Sequence, residues 1–175
     1  IRLRYPEDIE GRGAFYDGIG ALRDVGQSHM LQLLALFLME NPVTFEGDAV
    51  RKARAEVLGS LVIPEAKELA SKTLRGQYEG YTQESNVAKD SATETYFRIE
   101  TTLKNPRWKG IKVILENGKA MAKEDGRVEV VFRHRSPCLW PDPLNHQKNV
   151  LRYEIQPTEQ IILKFWVKHP GSTMQ

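Results

Sequence analysis

From Met30 to Met39 every residue but Gln32 is apolar. A helix that is apolar nearly all round must be buried on most of its sides. A chain carrying one has to build a core around it. No Pro interrupts Gly20 to Met39, and Gly26 is the only Gly after Gly20. Leu22, Val25, His29 and Leu33 recur at three- and four-residue spacing and share one stripe of a helix. The pattern predicts a helix over Phe15 to Met39. It ends at Glu40-Asn41-Pro42, because the residue before Pro is pushed out of the helical region. The stretch leading in, Glu7 to Ala14, is polar and Gly-rich. Glu7, Glu10, Arg12, Asp17, Arg23, Asp24 and His29 lie at the junction. A polar first half at the edge of a core is where a cleft can form.

The remaining periodicities set the fold class. Asp48 to Leu61 reads as a second helix, with Val50, Ala53, Val57 and Leu61 on one face. Pro64 makes Val62 to Ser71 ambiguous. Arg75 to Ala92 has two Gly and few large aliphatics and reads as a long, mobile surface loop. Beyond Ala92 the period becomes two. Thr93 to Leu103, Trp108 to Leu115, Arg127 to His134, Val150 to Ile155 and Gln160 to Val167 read as strands, and so does Ile1 to Tyr5. Tight turns are expected at Asn105-Pro106, Asn117-Gly118 and Asp125-Gly126. Helices first, then strands on short turns, describe an α+β domain: two N-terminal helices packed on a mostly antiparallel β-sheet.

With 175 residues, 41% hydrophobic and 27% charged, the chain suits one domain with a real core. The net charge of +2, with both signs interspersed, gives no electrostatic case for nucleic acid. One cysteine, Cys138, cannot close an internal disulfide and favours a reducing compartment. No leader and no membrane-spanning apolar run is evident, so no membrane partner is expected and the cytoplasm is the default. The chain opens at Ile1, mid-strand, and looks cut from something longer.

Several groups are candidates for chemistry. His29 on the apolar stripe reads either as a core histidine bonded to the backbone or as a general base. Imidazole is the side chain best matched to taking a proton near pH 7. Asp24, five residues earlier, lies about 140° away on an ideal α-helix, so the two would not touch on a regular one. The Gly-x-Gly of Asp17 to Arg23 lacks a third Gly and follows no strand, which rejects it as a dinucleotide loop. Lys119 and Lys123, just past a strand end, read either as solvated lysines or as a pair that holds a phosphate and a sugar hydroxyl. His134, His146 and His169 show no ligand spacing, and no metal site is expected.

Longer strings carry more. Glu10-Gly-Arg-Gly13, Phe15-Tyr-Asp17, Gly20-Ala-Leu-Arg-Asp24 and Gln27-Ser-His29 are followed in order by Arg75-Gly-Gln-Tyr78, Ser91 to Phe97, Asn105-Pro-Arg-Trp108, Gly118-Lys-Ala120 and Ile155-Gln-Pro157. In that order they resemble the large C-terminal domain of glucose-6-phosphate dehydrogenase, over essentially the whole chain. The resemblance implies an α+β domain that binds glucose 6-phosphate in an enzyme transferring hydride from C1 to NADP, the first step of the oxidative pentose phosphate pathway. It implies His29 as the base on the C1 hydroxyl and Asp24 and Glu7 as sugar ligands. It places Lys119 on the sugar, Lys123 on the phosphate, and Gln156 as a further sugar contact. It also implies a homodimer formed through the sheet. Departures accompany it: Ser28 stands where Asn is usual, Glu116 where a basic residue is usual, and Glu124 fills the position of the family's second cation. Glu116 is thereby expected to bring a negative charge close to a phosphate-binding lysine. The family's N-terminal NADP-binding Rossmann domain is absent from this sequence, so no residue here is assigned to the cofactor and the chain alone is expected to be inactive. The alternative is a non-catalytic sugar-phosphate-binding or oligomerisation module derived from that domain.

Overall fold

The structure, a computed structural model, describes residues 1–133 and 148–167. Cys138, Trp140, His134, His146 and His169, and the readings attached to them, lie outside the described residues. The chain divides into two compact units, Ile1–Asp125 and Gly126–Gln175.

The first unit holds four strands in the order β2-β3-β4-β1: β1 (Arg2–Arg4), β2 (Thr73–Gly76), β3 (Tyr96–Thr101) and β4 (Val113–Gly118). β2 pairs antiparallel with β3, and β3 with β4. β1 joins β4 in parallel, with Leu3 opposite Asn117 and Arg4 opposite Gly118. Alternation gives the sheet its inner face: Leu3, Phe97 and Leu115 are buried, whereas Arg2 and Arg4 flank Leu3 and are only half-buried. Packed with them are Ile9, Tyr16, Val25, Met30, Leu34 and Val57. Each large side chain so removed from water contributes about 2 kcal/mol.

In the second unit, β5 (Asp125–Val131, entered from the end of the first unit), β6 (Val150–Gln156) and β7 (Gln160–Lys164) pair antiparallel in sequence order. The fold is therefore α+β with mostly antiparallel pairing, as expected. Some detail differs. β4 runs through Asn117 and Gly118, where a turn was expected: the buried Asn117 amide donates to the Leu3 carbonyl at 2.7 Å, and this replaces the solvent a turn residue would have had. Trp108 is not in a strand. It closes a short 3-10 turn and its indole N–H donates to the Leu38 carbonyl at 2.8 Å.

Three helical segments, not two, occupy the first unit among the described residues. The first is composite: α1 (Gly13–Ala21), a π-helical stretch (Leu22–Met30) and α2 (Leu31–Leu38). α3 (Gly47–Gly59) matches the second expected helix. α4 (Ala66–Lys72) lies in the stretch left ambiguous after Pro64, and a reciprocal capping box between Glu65 and Glu68 starts it.

The composite helix departs most from the sequence pattern. From Ala21 onward its buried residues are Ala21, Val25, Gly26, Met30, Leu34 and Ala35, whereas Leu22 and His29 are exposed. Steps of four and five residues, not three and four, mark a widened coil. The Leu31 N–H donates to the Gly26 carbonyl, an i→i+5 bond. Two residues favour this. A Cβ on Gly26 would stand 2.8 Å from Phe97 Cζ, so only Gly lets the coil lie this close to β3. The Ser28 hydroxyl donates to the Asp24 carbonyl, the acceptor a regular α-turn would give to the Ser28 N–H. α2 is less enclosed than an all-apolar run suggests, with Leu36 about half exposed (48%).

The coil also has a defined start. Gly20 (φ 75°, ψ 166°) breaks the helix in a region essentially restricted to Gly. The groups freed there find Glu94: the Ala21 N–H donates to its carbonyl at 2.9 Å and the Leu22 N–H to its carboxylate at 3.1 Å. A buried carboxylate at a helix start is favoured by the orphan N–H groups and the helix dipole. Gly20→Ala places a Cβ 2.7 Å from Glu94 Oε1 as well as straining φ. It is expected to cost at least about 1–3 kcal/mol, read as a lower urea midpoint. An unchanged midpoint would contradict this account of the break.

Candidate active site

The candidate residues of the first unit gather where β1 and β4 end. Beyond the paired strands the chain segments stay laced together. The Tyr5 N–H donates to the Gly118 carbonyl at 2.9 Å, the Met121 N–H to the Tyr5 carbonyl at 2.9 Å, and the Ala120 N–H to the Glu7 carbonyl at 2.8 Å. The Lys119 N–H reaches the Thr95 carbonyl at 3.0 Å. Ala120 takes a left-handed conformation (φ 51°), which turns the chain directly after Lys119. Glu7 and Lys119 are thus held on adjoining backbones. Glu7 is exposed, Lys119 half-buried, and Lys123 exposed farther along the same connection.

Tyr5 is at the middle of this group. Lys119 Nζ lies over its ring, 4.6 Å from the centroid. Burial pushes the phenol above its ordinary value, and the carboxylates of Asp24, Glu124 and Glu7, in that order, push it further. Asp24 also raises Tyr16, after burial, so its charge acts on both tyrosines. The charges of Asp24, Glu7 and Glu124 thus act on the ring that Lys119 overlies. Sequence reasoning passed over Tyr5. The alternation Leu3-x-Tyr5, which places both on one side of a strand, was the signal available.

His29 is on the exposed side of the coil and not in the core, which overturns the core-histidine reading. The same finding changes its relation to Asp24. In a coil bonded i→i+5, residues five apart stand roughly one above the other. The 140° separation of a regular helix does not apply, and Asp24 and His29 share a face. Of the two, Asp24 is the one whose charge reaches Tyr5.

The acidic residue expected near a phosphate-binding lysine is on the other side of the sheet from Lys119. Glu116 alternates with Leu115 and Asn117, and its carboxylate accepts from Arg2 Nε at 3.0 Å and Arg4 Nε at 2.9 Å. Tyr96 adds its hydroxyl at 3.4 Å. Arg2 also reaches Asp125 at 3.3 Å. The strand pleat, together with two arginines two residues apart on β1, takes Glu116 away from the lysine.

Other residues support the site. Asp17 accepts from the Tyr81 hydroxyl at 2.9 Å, the Ala88 N–H at 3.1 Å and Ser91. Its carboxyl is held below the usual range, first by Ser91. This ties down the 75–92 connection, which is not the loose loop expected. Tyr81 is fully buried there, with Tyr16 and Tyr78 edge-on to it. Tyrosine rings do the work of the missing aliphatics. Gln156 is exposed at the end of β6 in the second unit. Among the described residues no group of His, Cys, Asp and Glu could hold a metal ion, and no helix is long and apolar enough to cross a membrane.

Fold and side chains together define an α+β domain with side chains of mixed charge where β1 and β4 end. The sequence model described as glucose-6-phosphate dehydrogenase, C-terminal domain, matches residues 1–175. Glucose-6-phosphate 1-dehydrogenase of Chlamydia pneumoniae is 37% identical over 98% of this chain and 36% of that protein. Glucose-6-phosphate 1-dehydrogenase 5, cytoplasmic, of Arabidopsis thaliana is 34% identical over 100% and 33%. The crystal structure of the Mycobacterium avium enzyme superimposes with a TM-score of 0.85 at 34% identity, covering 98% of this chain and 37% of that one. A glucose-6-phosphate dehydrogenase in complex with its substrate glucose 6-phosphate gives 0.85 at 32%, covering 97% and 35%. The chain belongs to the family of glucose-6-phosphate dehydrogenase C-terminal domains. It spans about a third of the length of the curated relatives it matches.

The Glu116 cluster makes a prediction about pH. Burial pushes this carboxyl up, but the hydrogen bonds and charges of Arg4 and Arg2 outweigh burial and hold it below the usual carboxylate range. A depressed value stabilises the fold above the unfolded value and loses that stability as pH falls through the folded one. The urea midpoint should therefore fall as pH drops below about 4.5. Glu116→Gln should cost about 1–3 kcal/mol at pH 7 and show a shallower acid limb. Parallel acid limbs in the two proteins would contradict the assignment.

Proposed function

We propose that this chain is the substrate-binding and catalytic-base domain of an NADP-dependent glucose-6-phosphate dehydrogenase. The observation that carries the proposal is the π-helical stretch, which puts Asp24 and His29 on one face of an element adjoining Lys119. Oxidation at C1 of the sugar removes a hydride with its electron pair from carbon. The C1 hydroxyl must lose its proton as the carbonyl forms and the ring becomes a lactone. His29, exposed and on a helix anchored by Val25, Gly26 and Met30, is assigned to take that proton at an imidazole nitrogen. Asp24 and Glu7 accept hydrogen bonds from sugar hydroxyls. Lys119 holds the sugar, and Lys123 the phosphate as a mobile point charge. Gln156 is assigned a further sugar contact by family likeness.

The described residues do not fit the hydride acceptor. Of the two Gly-x-Gly strings among them, Gly11 to Gly13 lies where the chain enters α1 and follows no nucleotide-type strand, and Gly18 to Gly20 lies in α1 next to Asp17, whose carboxylate is already engaged by Tyr81, Ala88 and Ser91. The cofactor is therefore assigned to a separate nucleotide-binding domain, and residues 1–175 to a C-terminal domain inactive by itself. A cytoplasmic location follows the naming of the Arabidopsis relative. His29→Asn in the full-length protein is expected to lower kcat by about 10²–10⁴-fold with substrate affinity largely kept. Turnover at the original rate would remove His29 from its role.

The proposal includes a homodimer through the sheet of the second unit. Ile161, Leu163, Phe165, Trp166 and Val167 are each more than half exposed there, a run of apolar surface of the kind that marks an interaction site. Ile161→Asp with Leu163→Asp should shift the full-length protein from dimer to monomer in sedimentation velocity. An unchanged dimer would place the interface elsewhere.

A further inference from the structure

Lys119 presents a problem of placement. Its backbone is pinned by hydrogen bonds from its own N–H to Thr95 and from the next N–H to Glu7. Its side chain is still four methylenes long and carries a hydrated charge that could sweep widely. Asp24, Glu7 and Glu124 all act electrostatically on the neighbouring tyrosine and would compete for the ammonium. A lysine drawn into an ion pair with one of them would be displaced and partly neutralised before any ligand arrived.

We propose that Tyr5 is the positioning residue for Lys119: the face of its ring holds the ammonium by a cation–π contact, in place and still charged, for an anionic sugar. The inference rests on the sugar-phosphate reading of the site. Three observations carry it. Nζ lies 4.6 Å from the ring centroid, well within the range in which the ring quadrupole attracts a cation. The ring is fixed: Tyr5 is half-buried, packs against the core, precedes Pro6, and has both its N–H and its carbonyl bonded to the Gly118–Met121 backbone. The interaction also leaves the lysine's charge and its N–H donors available, which a carboxylate partner would not. Tyr5 thereby sets affinity for the anionic ligand without touching the reacting carbon.

The test uses the full-length protein and steady-state kinetics with glucose 6-phosphate. Lys119→Ala checks the reading on which the inference rests and should raise KM. Tyr5→Phe keeps the ring and should leave KM near that of the parent. Tyr5→Leu removes the ring and should raise KM roughly three- to tenfold, with kcat within about twofold. Phenylalanines of increasing fluorination at position 5 weaken the ring quadrupole at nearly constant shape, and KM should climb stepwise with each fluorine. This series decides the matter if the Leu variant fails to fold. A flat KM along it while Lys119→Ala raises KM would overturn the inference and leave the reading standing. Tyr5→Phe raising KM as much as Tyr5→Leu would also overturn it, by showing that the hydroxyl and not the ring matters. An unchanged KM in Lys119→Ala would remove both.

Discussion

The first unit depends on how closely one helix approaches one strand. Gly26 lies where any Cβ would press on the Phe97 ring, itself fully buried in the core. At that separation the coil widens, and the widening decides which residues face the core and which face outward. Val25, Gly26 and Met30 go in; His29 goes out. The start of the coil is fixed by Glu94, whose buried carboxylate replaces the hydrogen bonds lost at the Gly20 break and is itself steadied by Arg75 at 3.0 Å. A helix held at one end by a carboxylate and in its middle by ring contact is a rigid carrier for polar side chains. That is the property a general base requires.

The segment around β1 separates two charge environments with five residues of sequence. Arg2 and Arg4 point to one face and neutralise Glu116, while Leu3 points to the core and Tyr5 ends beneath Lys119. Placed on the other face, Glu116 would have competed for the lysine. The pleat keeps these ion pairs and the Lys119 ammonium apart. The acidic neighbours that remain, Asp24, Glu7 and Glu124, make the site mixed rather than basic.

Much of this was legible in the sequence. Period-two alternation located β1, β3, β5, β6 and β7, and the apolar run located the composite helix. What escaped has physical reasons. α4 and β2 are short and carry few apolar residues, so they leave no periodic mark. The stripe Leu22, Val25, His29, Leu33 assumed 3.6 residues per turn; the π-helical stretch obeys another count, set by a contact with Phe97 seventy-one residues away in sequence. The 75–92 connection looked loose because its anchors are tyrosines and hydrogen bonds to Asp17 and not aliphatics. Asp24, His29, Glu7 and Lys119 were singled out by residue type and family likeness; the fold sets Glu7 and Lys119 on adjoining backbones, brings the charge of Asp24 to bear on Tyr5 and turns His29 outward. Tyr5, which links them, has no motif of its own.

The central claim is that a sugar phosphate binds where the widened coil meets the ends of β1 and β4. The most direct measurement is a titration of the isotopically labelled full-length protein with glucose 6-phosphate, followed by backbone amide chemical shifts. The account predicts saturable shifts centred on Tyr5, Asp24, His29 and Lys119, with those of Glu116 and α3 little changed. Shifts that bypass this group, or that appear chiefly around Arg2, Arg4 and Glu116, would contradict it.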